Sequence, residues 1–195
     1  IARAPHQQRQ FARAHIARGR YDQAEAVLQP AAERAATSDA GLELALLHKM
    51  LGKADADAML TRIAATATTS DEPFALARAA RALRALNRSQ AANSVYRDAA
   101  SLAQRDAAIH TSWGELFLET HDAQEAARSF EAALAADPQW AAAHLGLARA
   151  QAEHNRVSAL RFAARALAID PQLAAGYVLI AELCLAQGDT ASAAR

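Results

Sequence analysis

The sequence contains little of what usually marks disulfide stapling, membrane insertion or an aromatic binding surface. Cys184 is the only cysteine in 195 residues, which excludes an internal disulfide. Aromatic residues make up 5% of the chain, and Lys49 and Lys53 are the only lysines among its 21 basic residues. No apolar run reaches the roughly 18 residues that a membrane-spanning helix needs. These features leave the cellular compartment open and predict no direct insertion into a membrane.

The balanced charge and the absence of catalytic motifs argue against further classes of protein. The 21 basic residues balance the 21 acidic ones, so no overall positive field favours nucleic acid or a membrane surface. The sequence lacks the glycine-rich phosphate-binding motifs, the zinc-protease motif H-E-x-x-H and the nucleophile motif G-x-S-x-G. We therefore predict a chain that is not an enzyme, uses no cofactor, holds no metal and does not bind nucleic acid.

The apolar residues, many of them alanine, follow a helix–turn–helix pattern. It is clearest in residues 107–140, which end in the stop signal Asp137-Pro138. The pattern recurs about every 34 residues, and the predicted repeats span 5–38, 39–72, 73–106, 107–140, 141–173 and a truncated 174–195. A small residue is predicted where the two helices cross, at Ala24, Ala58, Ala92, Ala126 and Ala159. A large residue is predicted four places later, at Leu28, Arg62, Tyr96 and Phe130.

This combination of residues, with Trp113, Gly114 and Phe117 in the fourth copy, resembles the tetratricopeptide repeat (TPR). The resemblance implies an all-α fold, a right-handed superhelical solenoid of about five and a half helical hairpins. We expect one array over residues 1–195, and the alternative is a hinge at 66–72 between two rigid arms. Because the last repeat stops inside a helical pattern, we expect a fragment of a longer bacterial protein.

The resemblance also implies a binding groove, lined by the first helix of each hairpin. Carried over residue by residue, its charged positions are Arg9, Arg13, Arg78, Arg81, Arg84, Glu115, Glu119, Arg149, Glu153 and Glu182. Glu43 holds one of these positions in the second repeat. Arg78, Arg81 and Arg84 recur every three residues and share one helix face, suited to gripping carboxylates. The alternatives are a solvated face, or a pair between Arg81 and Glu115.

Two groups of residues have a structural interpretation. His110 and His144 share the fourth position of successive repeats, which favours packing between hairpins over metal binding. Cys184 lies on the packing face of the sixth repeat, which favours a buried thiol over a nucleophile.

Three functions remain consistent with the resemblance. The leading one is a protein-interaction scaffold that binds a protein or peptide segment in the groove. The second is a structural spacer of a larger bacterial protein, such as a periplasmic exopolysaccharide (cellulose) export subunit. The third is the recognition arm of an enzyme whose catalytic domain lies outside the chain. The oligomeric state and the partner stay open.

Overall fold

The protein is described by a computed structural model over residues 5–186, apart from the side chains of Pro5 and His6. This part of the chain forms eleven α-helices, one short 3₁₀ helix and no strand. The helices are α1 (Pro5–Ile16), α2 (Tyr21–Arg34), α3 (Asp39–Met50), α4 (Ala56–Ala64), α5 (Pro73–Ala85), α6 (Ser89–Leu102), α7 (Ala107–Glu119), α8 (Ala123–Ala136), α9 (Ala141–Gln151), α10 (Arg156–Ile169) and α11 (Ala174–Leu185). The second helix expected for the sixth repeat lies outside the described residues.

Within each unit, helices that follow one another in the chain pack together as hairpins, and local sequence signals define where they begin. The first helices start at the residues where the repeat period places the repeat starts, including Asp39, Pro73 and Ala107. The Glu72 side chain accepts hydrogen bonds from the backbone N–H of Phe74 and of Ala75, and Pro73 occupies the first turn of α5. The all-α repeat fold predicted from the sequence is therefore confirmed.

The chain divides into two compact units, residues 1–102 and 103–195. The first unit contains α1 to α6 and the second contains α7 to α11. At the crossing of the two helices of a hairpin, Ala24, Ala92, Ala126 and Ala159 are completely buried. Small residues at these points let the helix axes approach to about 8–10 Å. Whether the units form one array, and whether 66–72 is a hinge, stay predictions.

The predicted register of the second hairpin was wrong: the buried residues of α4 lie two positions earlier in the sequence than predicted. Ala58 and Arg62 are exposed, and Ala56 and Leu60 take the two buried places that were predicted for them. The shift arises in the turn, where the left-handed residue Gly52 comes one place earlier in its repeat than Gly19, Asn87 and His121 do in theirs. Buried Ala56 then follows Gly52 after four residues, whereas the buried alanines of the other hairpins follow their left-handed residues after five. The segment between α4 and α5 is correspondingly longer, and it includes a 3₁₀ helix over Ala65–Thr68.

The segment after α4 is capped by its own hydroxyl groups. Thr66 Oγ1 donates to the carbonyl oxygen of Ile63 over 2.7 Å, and Thr68 Oγ1 donates to that of Ala65 over 2.9 Å. These bonds satisfy carbonyls at the end of the helix. In the described part of the chain, no helix is long and apolar enough to cross a membrane.

Candidate functional site

Charged side chains on the first helices of the first unit form a row of ion pairs. Arg9 on α1 contacts Asp39 on α3, with Nη1 and Oδ2 2.8 Å apart. Four residues further along each helix, Arg13 Nη2 donates to Glu43 Oε1 over 2.5 Å. Residues four apart lie on the same face of a helix, so the sequence spacing aligns the two pairs.

Helix α5 supplies the other side of the row. Arg81 Nη2 donates to the same Glu43 Oε1 over 3.3 Å. Arg78 Nη1 lies 3.6 Å from Asp39 Oδ1, and Arg78 Nε donates to the carbonyl oxygen of Thr37 over 3.2 Å. Each carboxylate on α3 therefore lies between an arginine of α1 and an arginine of α5. We call Arg9, Arg13, Arg78 and Arg81 the guanidinium row.

Glu43 is the buried centre of this arrangement, with 10% of its side chain exposed. Burial alone would raise the pKa of its carboxyl group. The hydrogen bond from Arg13 and the charges of Arg81 and Arg13 outweigh that effect and hold the pKa of Glu43 below its ordinary value of 4.5. Glu43 is consequently ionised at neutral pH, and it orders the guanidinium groups on both sides.

Replacement of Glu43 by glutamine is expected to lower the free energy of unfolding by about 1–3 kcal/mol at neutral pH. A carboxyl group with a depressed folded-state pKa stabilises the fold fully above its unfolded value, and the stabilisation is lost as pH falls through the folded value. The difference between wild type and Glu43→Gln should therefore shrink below pH 4.5. Urea denaturation across the acid range measures it, with Asp71→Asn, an exposed site, as control. A difference that stays constant down to the acid end contradicts the assignment.

The guanidinium row keeps an excess of positive charge, because its four arginines pair with three carboxylates, those of Asp39, Glu43 and Glu72. The Arg13 side chain is 60% exposed, whereas Arg78 and Arg81 are about three-quarters buried. Arg84, the third arginine on the helix face predicted for α5, is half-buried and already takes part in another interaction. Apolar side chains on the same helices are exposed nearby in sequence, with Met50 on α3 at 55% and Phe74 on α5 at 50%.

The remaining predicted groove residues belong to the second unit. Glu115 on α7 is half-buried and Glu119 is exposed, and both are engaged in interactions. Arg149 on α9, Glu153 in the turn after α9, and Glu182 on α11 are exposed. Glu115 and Glu182 hold the repeat position that Arg13 and Arg81 hold in the first unit, and Arg149 keeps an arginine there.

The side chain at the fourth position of a repeat bonds to a carbonyl oxygen in the loop before its helix. His110 Nε2 lies 3.0 Å from the carbonyl oxygen of Gln104, and His144 Nε2 lies 3.1 Å from that of Pro138. Tyr177 occupies the same place in α11 and donates to the carbonyl oxygen of Pro171 over 3.2 Å. In each case the partner is six residues earlier, which gives the two histidines a structural role. Within residues 5–186 no cluster of three metal-binding side chains is found, and Cys184 is buried.

A second charged cluster was missed by sequence reasoning. The ring of buried His48 on α3 has Nδ1 2.8 Å from Asp55 Oδ1 and Nε2 3.1 Å from Glu25 Oε1. Lys53 Nζ donates to both carboxylate oxygens of Glu25 over 2.7 Å. The hydrogen bond from Lys53 holds the pKa of Glu25 below 4.5. The signal available in the sequence was a histidine on an otherwise leucine-rich helix, followed closely by Lys53 and Asp55.

These hairpins, with alanine at their helix crossings, give the chain the tetratricopeptide-repeat fold. The chain is similar to a thermophilic TPR protein of Thermus thermophilus, to which it is 23% identical. The match covers 93% of this chain and 100% of that chain, with a TM-score of 0.70. A tetratricopeptide repeat protein of Parabacteroides merdae is 17% identical, with 96% and 75% coverage and a TM-score of 0.61.

A third solved structure, YrrB, is described as a TPR protein with an unusual peptide-binding site. It is 19% identical to this chain, with 87% and 88% coverage and a TM-score of 0.54. No protein-family model matches the sequence, and no curated protein matches it either. At these identities the likeness concerns the fold.

Proposed function

We propose that the chain is a non-enzymatic scaffold that binds an acidic segment of a protein partner on the first helices of its first unit. The observation that carries the proposal is the guanidinium row, in which four arginines share the carboxylates of Asp39 and Glu43. The peptide-binding site described for YrrB is a precedent for such a role in this fold.

Arginine suits this task because its planar guanidinium group donates parallel hydrogen bonds to a carboxylate. In the row, Asp39 and Glu43 already hold the guanidinium groups in place, so an incoming carboxylate loses less side-chain entropy on binding. The exposed side chains of Met50 and Phe74 on the same helices favour a segment that carries apolar residues beside its acidic ones. A protein segment provides both, whereas a free anion provides only charge.

The charged residues on the first helices of the second unit remain part of the proposal as a separate surface. Glu119 on α7, Arg149 on α9 and Glu182 on α11 are exposed, and so is Glu153 in the turn after α9. Their mostly acidic character favours a basic region of a partner, and Glu115 on α7 adds to it.

Selection of random displayed peptides on the full chain tests the scaffold role. We expect the selected peptides to be rich in Asp and Glu, and their binding to weaken as salt is raised, because exposed charge pairs are screened. Fluorescence anisotropy of one selected peptide should show a loss of about tenfold in affinity in Arg13→Gln, which removes one charge-assisted hydrogen bond donor.

The matched control is Arg97→Gln, which removes an exposed arginine of α6, a second helix of the same unit. It should bind the peptide as the wild type does. Selection of neutral or basic sequences, or equal affinity of Arg13→Gln and wild type, would overturn the proposed acidic segment. A chain that selects no peptide at all would overturn the scaffold role.

A further inference from the structure

A cavity of about 530 Å³ lies in the first unit, lined by residues of α2, α3 and α4. Its apolar lining includes Ala32, Leu44 and Met59. The volume falls within the roughly 300–1,000 Å³ of sites that hold small molecules. No member of the guanidinium row lines the cavity, so it is a separate site from the one proposed for a partner segment.

Four of its polar residues are committed to one another. His48 lies between Asp55 and Glu25, and Lys53 donates to both oxygens of Glu25. This network joins α2, α3 and the turn that precedes α4. Because its groups already have partners, it holds the walls of the cavity in place and leaves ligand recognition to other side chains.

The uncommitted charges are Glu33 and Arg62. Glu33 is exposed on α2, and Gln29 donates to its Oε1 over 2.9 Å, which leaves Oε2 available. Arg62 is exposed on α4, where the two-residue shift in register places it on the cavity wall instead of in the core. Among the residues that the structure describes, neither side chain has an ion-pair partner.

Two opposite charges on different helices thus line the same cavity, together with apolar side chains. We propose that this cavity binds an aliphatic zwitterion, a ligand with one ammonium group, one carboxylate and an aliphatic body. Its carboxylate pairs with Arg62, its ammonium group pairs with Glu33, and its body lies against Leu44 and Met59. A ligand with a single charge satisfies one side chain and leaves the other without a partner.

Three compounds with the same aliphatic body separate these contributions: ε-aminocaproate, caproate and hexylamine. Met59 and Met50 are the only methionines in the chain, and only Met59 lines the cavity. Isotope-labelled methionine methyl groups therefore give one signal at the site and one signal away from it. We expect ε-aminocaproate to shift the Met59 signal and to leave Met50 unchanged, with binding at least about tenfold tighter than that of either single-charge compound.

Two variants assign the charges. Arg62→Gln should bind ε-aminocaproate no better than hexylamine, and Glu33→Gln should bind it no better than caproate. Arg97→Gln is the control and should behave as the wild type. Leucine, which carries both charges on one carbon, tests the spacing: tighter binding of either zwitterion supports the proposal and identifies the separation of the charges that the site takes.

The proposal is overturned if the zwitterions bind no better than caproate and hexylamine. It is equally overturned if Met59 and Met50 shift alike, which indicates adsorption all over the surface. Since the two variants replace exposed side chains without ion-pair partners, loss of folding is not expected, and the dispersion of the methyl spectra checks it. Failure here leaves the partner-segment proposal untouched, because that rests on different residues.

Discussion

Replacing Phe130 with alanine is expected to lower the free energy of unfolding by about 3–5 kcal/mol. The Phe130 side chain is completely buried in the second unit, where it packs against α7 and α9. It approaches both helices at glycines, Gly114 on α7 and Gly146 on α9. Removal of the ring would leave a cavity between α7 and α9. The helices cannot easily close it, because glycine has no side chain that could fill the space.

Urea denaturation followed by far-ultraviolet circular dichroism measures the loss. Phe74→Ala removes the same side chain from a half-exposed position and should cost less than about 1 kcal/mol. A similar small cost for Phe130→Ala would mean that the second unit rearranges around the vacancy, and that the ring does not determine how α7, α8 and α9 pack.

Substitution of Gly146 by alanine is expected to be destabilising by about 1–3 kcal/mol, although alanine is ordinarily the better helix former by about 1 kcal/mol. A Cβ atom at Gly146 would overlap the Phe130 ring, and one at Gly114 would lie 2.7 Å from it. Because the ring is enclosed on both sides, it cannot turn away from an added methyl group. Thermal and urea unfolding of Gly146→Ala measure the cost.

The same substitution in a Phe130→Leu background tests the cause. Leucine lacks the Cε1 and Cζ atoms, the two that the new Cβ would approach most closely, so the penalty of Gly146→Ala should fall there, and the helix preference of alanine can offset the rest. A double-mutant cycle isolates this coupling. An equal penalty in both backgrounds would assign the cost to something other than the ring.

The fold could be predicted from the sequence because every repeat needs small residues at the same positions for its helices to pack. Ala24, Ala92 and Ala126 are small where two helices cross, and they are completely buried. The second hairpin departed from the period because a turn can lose two residues if the segment after the helix gains two. Counting residues from repeat to repeat cannot detect that exchange, which placed Ala58 and Arg62 on the surface.

The candidate site was predicted in part. Spacing along one helix identified Arg78 and Arg81 as members of a shared face, since that information is local. Their carboxylate partners depend on the distance between hairpins, so the pairing of Arg81 with Glu43 came only from the structure. The cluster around His48 was missed for the same reason: it joins three elements whose mutual approach no single stretch of sequence encodes.

The fourth-position bonds also bear on where this chain tolerates inserted sequence. His110, His144 and Tyr177 each anchor a carbonyl oxygen in the loop before their own helix, at a fixed distance along the chain. A peptide tag placed in one of these loops would separate the ring from its acceptor and shift the start of the next hairpin. Among the described residues, the exposed turn at Gly19 inside the first hairpin carries no such bond, which makes it the better site for grafting an epitope or a fluorescent label.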